Sequence, residues 1–320
     1  MIIKKKNQNN IEIHSEIAKW CETNTHNVYL RYDFNNNNIY FIRCCHKQDE
    51  KLKEFSLDEF DSLSTSDIQN ILNELNNTQY PNHDYSIYPC CKSSKNICDY
   101  SNDIIDSIVV GFLYKCNTSC RMCTIPKKVT PDIDGKIKEI YFNFLNKLKY
   151  IPLSRITLTE QGEPFFYKKE TFKFINDLNI NSCKQLTIIT NAINLNEDDI
   201  INLYNFKERT GIDLQIIASC SAISDETYRV VHNNVNFDTV VNNILLLKKY
   251  NLLLCVNFVV QRSNLHELEF LYDFWHSKDN SFNKVNIATC CITPPGKFIG
   301  EDKFILNSEE YKKYKMGYTW

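Results

Sequence analysis

From about residue 105 the apolar positions of the chain alternate between two periods. "SIVVGFLYK" (107–115) is an unbroken apolar run suited to a buried strand, and the "DGKIKEIYFNFLNKLKY" segment behind it carries Ile137, Ile140, Tyr141, Phe144 and Leu148 at helical spacing. The alternation then repeats. "RITLTE" (155–160) reads as a strand and "KETFKFINDLN" (169–179) as a helix, and "QLTIITN" (185–191) and "DLQIIAS" (213–219) read as further strands. Ser224 is suited to cap a helix whose first turn holds Asp225 and Glu226, and Val240, Val241, Ile244, Leu245 and Leu247 mark the next helix. "LLLCVNFVV" (252–260) and "KVNIAT" (284–289) complete six strands, with a helix behind Asn264 between them. Strands that are apolar throughout and separated by helices indicate an α/β fold with a parallel sheet under helices. Six such units fit either an open doubly wound sheet or a partial barrel, and in both the chemistry gathers at the C-terminal strand ends.

The first hundred residues follow another pattern. "VYLRYDF" and "IYFIRCC" alternate as strands around the asparagine turn 35–38, which makes a β-hairpin, and "SLDEFDSLSTSDIQNILNEL" has helical period. This is expected to be a separate small α+β, cysteine-rich domain over 1–104, followed by a core over 105–300 and a tail over 301–320. With 43% hydrophobic and 24% charged residues, the 320-residue chain reads as globular with a substantial core. A net charge of −2 offers no electrostatic case for nucleic acid or an anionic membrane. No apolar run approaches the roughly 18 residues of a membrane span, and "MIIKKKNQNN" lacks the apolar core of a secretory signal, so a cytoplasmic location is expected. Asparagine is abundant, which reads as compositional bias rather than function.

Without a signal peptide, fourteen cysteines point to metal or catalysis rather than to a disulfide framework. Cys183, Cys220 and Cys255 stand alone in apolar or strand-like surroundings and read as small buried hydrophobes. "YKCNTSCRMCTIP" (114–126) is different: Cys116, Cys120 and Cys123 form C-x3-C-x2-C directly behind the first parallel strand. A structural zinc site takes four ligands, and a catalytic one normally includes a histidine. Three cysteines on one loop better suit a [4Fe–4S] cluster with one iron left without a protein ligand.

That motif, on that strand, resembles the radical S-adenosylmethionine (radical SAM) superfamily, with Met122 where the family usually has an aromatic. "TEQGEP" (159–164) is similar to the family's Gly-Gly-Glu-Pro segment with Gln161 for the first glycine, and "TNA" (190–192) to its Thr-Asn-Gly. "SCSAISDETYRVVH" (219–232) resembles its fourth-strand segment, with Ser221 at the usual Asp position and His232 at the usual Arg position. "VNFVVQRSNLHEL" (256–268) resembles its fifth strand and helix. The resemblance implies a partial (β/α)6 barrel, a cluster held by Cys116, Cys120 and Cys123, and SAM contacts from Gly162, Glu163, Thr190, Asn191, Ser219 and Ser221. The open iron would chelate SAM, and Glu163 would meet its ammonium in a charge-assisted hydrogen bond. Reductive cleavage would then give a 5′-deoxyadenosyl radical that abstracts hydrogen from substrate, with a flavodoxin- or ferredoxin-type protein as low-potential electron donor.

Cys21, the Cys44–Cys45 pair and the Cys90, Cys91 and Cys98 group resemble the auxiliary Fe–S domain called SPASM, here ahead of the barrel instead of behind it. The likeness implies a second [4Fe–4S] cluster on Cys21, Cys44, Cys90 and Cys98, structural zinc being the competing occupant. It also favours a peptide or protein substrate, with dehydrogenation or epimerisation of a small molecule or sugar as the alternative. A non-catalytic zinc or Fe–S interaction module is the rival from another class. Cys290 and Cys291, ending the sixth strand, fall on the active-site rim. Tyr228, Arg229, His232 and Arg262 are candidate polar liners, and no catalytic residue is singled out.

Overall fold

A computed structural model of the chain describes residues 27–33, 36–42, 51–77, 106–120, 123, 131–158, 162–283 and 285–289. It opens with β1 (Asn27–Asp33), β2 (Asn38–Ile42) and β3 (Lys53–Ser56), then α1 (Leu57–Ser62) and α2 (Thr65–Asn77). The alternating part follows as β4 (Ser107–Gly111), α3 (Pro131–Leu148), β5 (Leu153–Leu158), α4 (Lys168–Asp177), β6 (Cys183–Thr190), α5 (Glu197–Thr210) and β7 (Asp213–Ser219). It continues with α6 (Asp225–His232), α7 (Phe237–Lys249), β8 (Leu253–Val260), α8 (Leu271–Lys278) and β9 (Val285–Thr289). Short 3-10 turns cover Pro164–Tyr167 and Arg262–Phe270. The single helix expected over 56–75 is two, because Ser64 starts a second N-terminus: its hydroxyl accepts from Asp67 N (3.1 Å) while Asp67 Oδ2 accepts from Ser64 N (2.8 Å).

The nine strands among the described residues form one mostly parallel sheet in the order β3-β2-β1-β4-β5-β6-β7-β8-β9. The β1–β2 hairpin was expected to stand in a small domain of its own. Instead β1 pairs in parallel with β4, Val28 opposite Ile108 and Leu30 opposite Val110, so the hairpin prolongs the sheet. From β4 to β9 the spatial order is the chain order, without the reversal that marks a doubly wound sheet. Right-handed crossovers that all progress in one direction put their helices on a single face.

The register explains which face. Val28, Ile108, Ile156, Leu186 and Leu214 form one row across five strands, and Leu30, Val110, Leu158, Ile188 and Ile216 form the next. Both rows are completely or almost completely buried and belong to the same core as Phe144 of α3, Phe174 of α4, Leu203 of α5 and Ile244 of α7. The opposite face is mixed: the row between them reads Tyr29, Val109, Thr157, Thr187 and Gln215. Thr157 and Thr187 are nevertheless buried, as is Arg31. The strands are thus apolar toward the helices and polar toward a second sheltered side. Among the described residues, no helix is long and apolar enough to cross a membrane.

Candidate active site

The strand expected over 107–115 ends at Gly111, and the chain leaves the sheet through Tyr114, whose φ of 40° is unusual for a residue with a side chain. The loop it enters carries Cys116, Cys120 and Cys123. Thr118 Oγ1 lies between two of the sulfurs, 3.1 Å from Cys116 Sγ and 3.4 Å from Cys120 Sγ, and Cys123 N donates to Cys120 O (3.1 Å). Burial pushes the Cys120 thiol up to about 12 and raises that of Cys116, so both are thiols at neutral pH until a positive group displaces their protons. Among the described residues no three His, Cys, Asp or Glu side chains converge where one metal ion would sit.

The end of β5 lies on this loop. Gly162 has φ 127°, and a Cβ there would stand 2.8 Å from Tyr114 N, so only glycine permits the approach. Glu163 N then donates to Lys115 O (2.8 Å). The Glu163 carboxylate is buried; Oε1 accepts from Phe165 N (3.0 Å) and Thr190 Oγ1 (2.6 Å), and Oε2 from Asn191 N (2.7 Å). Burial raises its pKa, against the pull of those three donors. A carboxylate has room for about four hydrogen bonds, so a further donor can be received. Asn191 closes the group from β6: its amide Nδ2 donates to Asn117 Oδ1 (2.6 Å) and lies 3.7 Å from Cys116 Sγ. Cys116, Gly162, Glu163, Thr190 and Asn191 are therefore gathered at the C-terminal edge of β4, β5 and β6.

Ser219 ends β7, opposite Asn257 of β8, and is half-buried. Ser221 is fully buried and its hydroxyl oxygen accepts from Val259 N (3.0 Å), which ties it to β8. Of the expected polar liners, Arg229 is exposed and paired with Asp225 (2.7 Å) on its own helix, and Arg262 is exposed. Tyr228 and His232 are buried and stacked, ring centroids 4.5 Å apart. Burial holds the His232 imidazole down at about 4, so it brings no positive charge. Cys183 and Cys220 are core residues whose thiols burial pushes up to about 12, in keeping with inert side chains, while Cys255 is half-buried. The expected auxiliary ligands Cys21, Cys44, Cys90 and Cys98, and the Cys290–Cys291 pair, lie outside the described residues.

Sequence reading missed a ring of asparagines. Asn117 Nδ2 donates to Asn194 Oδ1 (3.0 Å), Asn233 Nδ2 to Ser119 Oγ (2.7 Å) and Asn234 Nδ2 to Asn117 O (3.4 Å). Four asparagines, Asn191, Asn194, Asn233 and Asn234, thus hold the cysteine loop, through Asn117 and Ser119, between the ends of β6 and α6. The one local signal is Asn233, which closes α6 in the left-handed conformation that asparagine tolerates better than most residues (φ 48°).

Comparison with known proteins gives partial matches. No protein-family model matches the chain. An uncharacterised protein of Methanocaldococcus jannaschii is 29% identical over 140 residues, 42% of this chain and 41% of its own length. A structure of native anSMEcpe with bound AdoMet superimposes with a TM-score of 0.49 at 16% identity, covering 65% of this chain and 58% of that one. The same protein with AdoMet and the Cp18Cys peptide gives 0.48 at 16% identity, covering 65% and 57%. A radical SAM methyltransferase from Sphaerobacter thermophilus gives 0.38 at 12% identity, covering 63% and 60%. The chain spans less than two thirds of each of these relatives.

Proposed function

We propose that this chain is a radical SAM enzyme in which Cys116, Cys120 and Cys123 hold a [4Fe–4S] cluster and the residues at the ends of β5 to β7 hold S-adenosylmethionine. One observation carries the reading. Asn191 bonds through its backbone to Glu163 and through its amide to the cysteine loop, so three separate motifs meet at the carboxyl edge of a parallel sheet, where such sheets bind ligands. When bound, the cluster and SAM would supply the chemistry: one-electron reductive cleavage of the sulfonium and hydrogen abstraction from the substrate.

The chain's own part is to orient and shelter. Gly162 lets the β5 loop lie directly on the backbone of the cysteine loop. Glu163 has acceptor capacity for an ammonium, the charge the SAM amino group carries. Thr190 and Asn191 fix that carboxylate, and Ser219 ends β7, the strand paired with β6. The unreversed strand order agrees with a partial (β/α)6 barrel whose polar sheet face would be the interior. A second cluster on Cys21, Cys44, Cys90 and Cys98 and a peptide or protein substrate complete the proposal. A low-potential flavodoxin- or ferredoxin-type donor would supply the electron.

The test is anaerobic reconstitution with iron and sulfide, then dithionite and SAM. The expected outcome is 5′-deoxyadenosine from the wild type and none from the Cys116→Ala variant. The Cys116/Cys120/Cys123→Ala triple variant should keep about half the iron, since each [4Fe–4S] cluster has its own cysteines. Zinc without iron and sulfide, or a loaded cluster that makes no 5′-deoxyadenosine, would leave the non-catalytic module as the better account. Retention of no iron by the triple variant would remove the second cluster.

A further inference from the structure

Ser221 and His232, at both of which the fourth-strand segment departs from the family pattern it resembles, are bonded to each other. Ser221 N donates to His232 Nε2 (3.0 Å), and His232 Nδ1 lies 3.3 Å from Cys120 Sγ, across 112 residues of chain. The first contact decides the second. A nitrogen that accepts a backbone N–H carries no proton, so in the neutral ring the proton is on Nδ1, aimed at the sulfur. The donor is held firmly. Asn264 Nδ2 donates to Ser221 O (2.8 Å) and Val259 N to Ser221 Oγ (3.0 Å), which anchors the Ser221 peptide to β8. Tyr228 stacks on the imidazole at an interplanar angle of 29°, and the two residues that follow His232 grip the cysteine loop themselves. The ring is 1% exposed, so it is held out of reach of bulk water.

We propose that His232 donates an Nδ1–H···S hydrogen bond to the Cys120 thiolate and thereby raises the reduction potential of the cluster bound there. The inference rests on the cluster reading above. Reduction adds one electron, delivered by the low-potential donor protein, and the added negative charge is shared by the ligand sulfurs. A donor fixed on one of those sulfurs stabilises the reduced form more than the oxidised one, and hydrogen bonds to sulfur are among the factors that set such potentials. Its direct partner is the cluster's own ligand, so His232 is a positioning residue and takes no part in SAM cleavage itself.

The test compares wild type, His232→Phe and His232→Asn after anaerobic reconstitution, by EPR-monitored redox titration at equal iron content and without SAM. Phe keeps the ring and removes the donor; Asn puts an amide N–H where Nδ1 was. The expected result is a roughly tenfold less favourable reduction in the Phe variant, about 59 mV lower for one electron, with the Asn variant recovering most of the shift. In parallel, electron spin-echo spectra of the reduced wild type labelled with 15N-histidine should show one weakly coupled nitrogen. Equal midpoints in wild type and the Phe variant, or no histidine coupling in the wild type, overturn the proposal. If the Phe variant does not fold or load, the wild-type nitrogen coupling decides alone. A wild type that takes up no iron overturns the cluster reading itself, and this inference with it.

Discussion

Two glycines separate conformational need from mere presence. Gly162 is held at φ 127° with backbone atoms of Tyr114 and Lys115 against it, the nearest 2.8 Å from where a Cβ would sit, whereas Gly135 in α3 has nothing within 4 Å. Gly162→Ala is therefore expected to cost on the order of 1–3 kcal/mol for the strained backbone alone, with the clash adding to it. Gly135→Ala should stabilise by about 0.5–1 kcal/mol, since alanine is the better helix former. Urea unfolding of the apo-protein measures both, and equal effects of the same sign would refute the close approach of the β5 loop to the cysteine loop. Glu163 illustrates the same scale from the other side. Its type and neighbours are visible in "QGEP", but its three donors come from Phe165, Thr190 and Asn191, the last two at the end of β6 and just beyond it.

At the scale of elements, helix ends do much of the positioning. The last turn of α6 and the residues after it, His232 to Asn234, reach Cys120, Ser119 and Asn117 in turn. Glu267 closes the other end of the same helix, accepting from Ile223 N (2.8 Å) and from the Ser224 hydroxyl. The end of α8 is fixed by charge. Asp279 pairs with Lys248 of α7 and accepts from Ser281 N (2.8 Å) and Oγ (2.7 Å). These contacts, the Lys248 ammonium first, hold its carboxyl at about 2 instead of the ordinary 3.8. A depressed carboxylate adds stability above its unfolded value and loses it as the pH falls through the folded one. Asp279→Asn should thus lower the denaturation midpoint at pH 7, and the gap to wild type should shrink below pH 3.8 and close near pH 2. A gap that persists at pH 2 would mean that the side chain acts by shape and not by charge.

For the whole molecule, the decisive feature among the described residues is that one sheet runs from the hairpin to β9 and one large apolar cluster joins Leu30 of β1 to Trp275 of α8. Leu30 lies wholly buried in β1 opposite Val110 of β4, and Trp275 is buried in α8, well beyond it in the chain. Leu30→Ala should cost about 2–5 kcal/mol, and it should shift the transition reported by Trp275 fluorescence together with that seen by circular dichroism. A Trp275 transition left in place would make the hairpin an independent unit after all. The parallel strands and their helices were legible in the sequence, because a strand's apolar run and a helix's 3.6-residue period are local, and the cysteine triplet was legible for the same reason. The break at Ser64 and the strand end at Gly111 were not. The sequence also indicated where chemistry should gather, since strand-end placement follows from the alternation. It could not announce that β1 would join β4, because hairpin alternation is the same whether the outer edge stays free or finds a partner. Nor could it tell which of many asparagines hold the cysteine loop, or that His232 would meet Cys120. Those contacts join residues scores of positions apart, and only the packing of α6 and the β6 end against the first loop decides which polar side chains become partners.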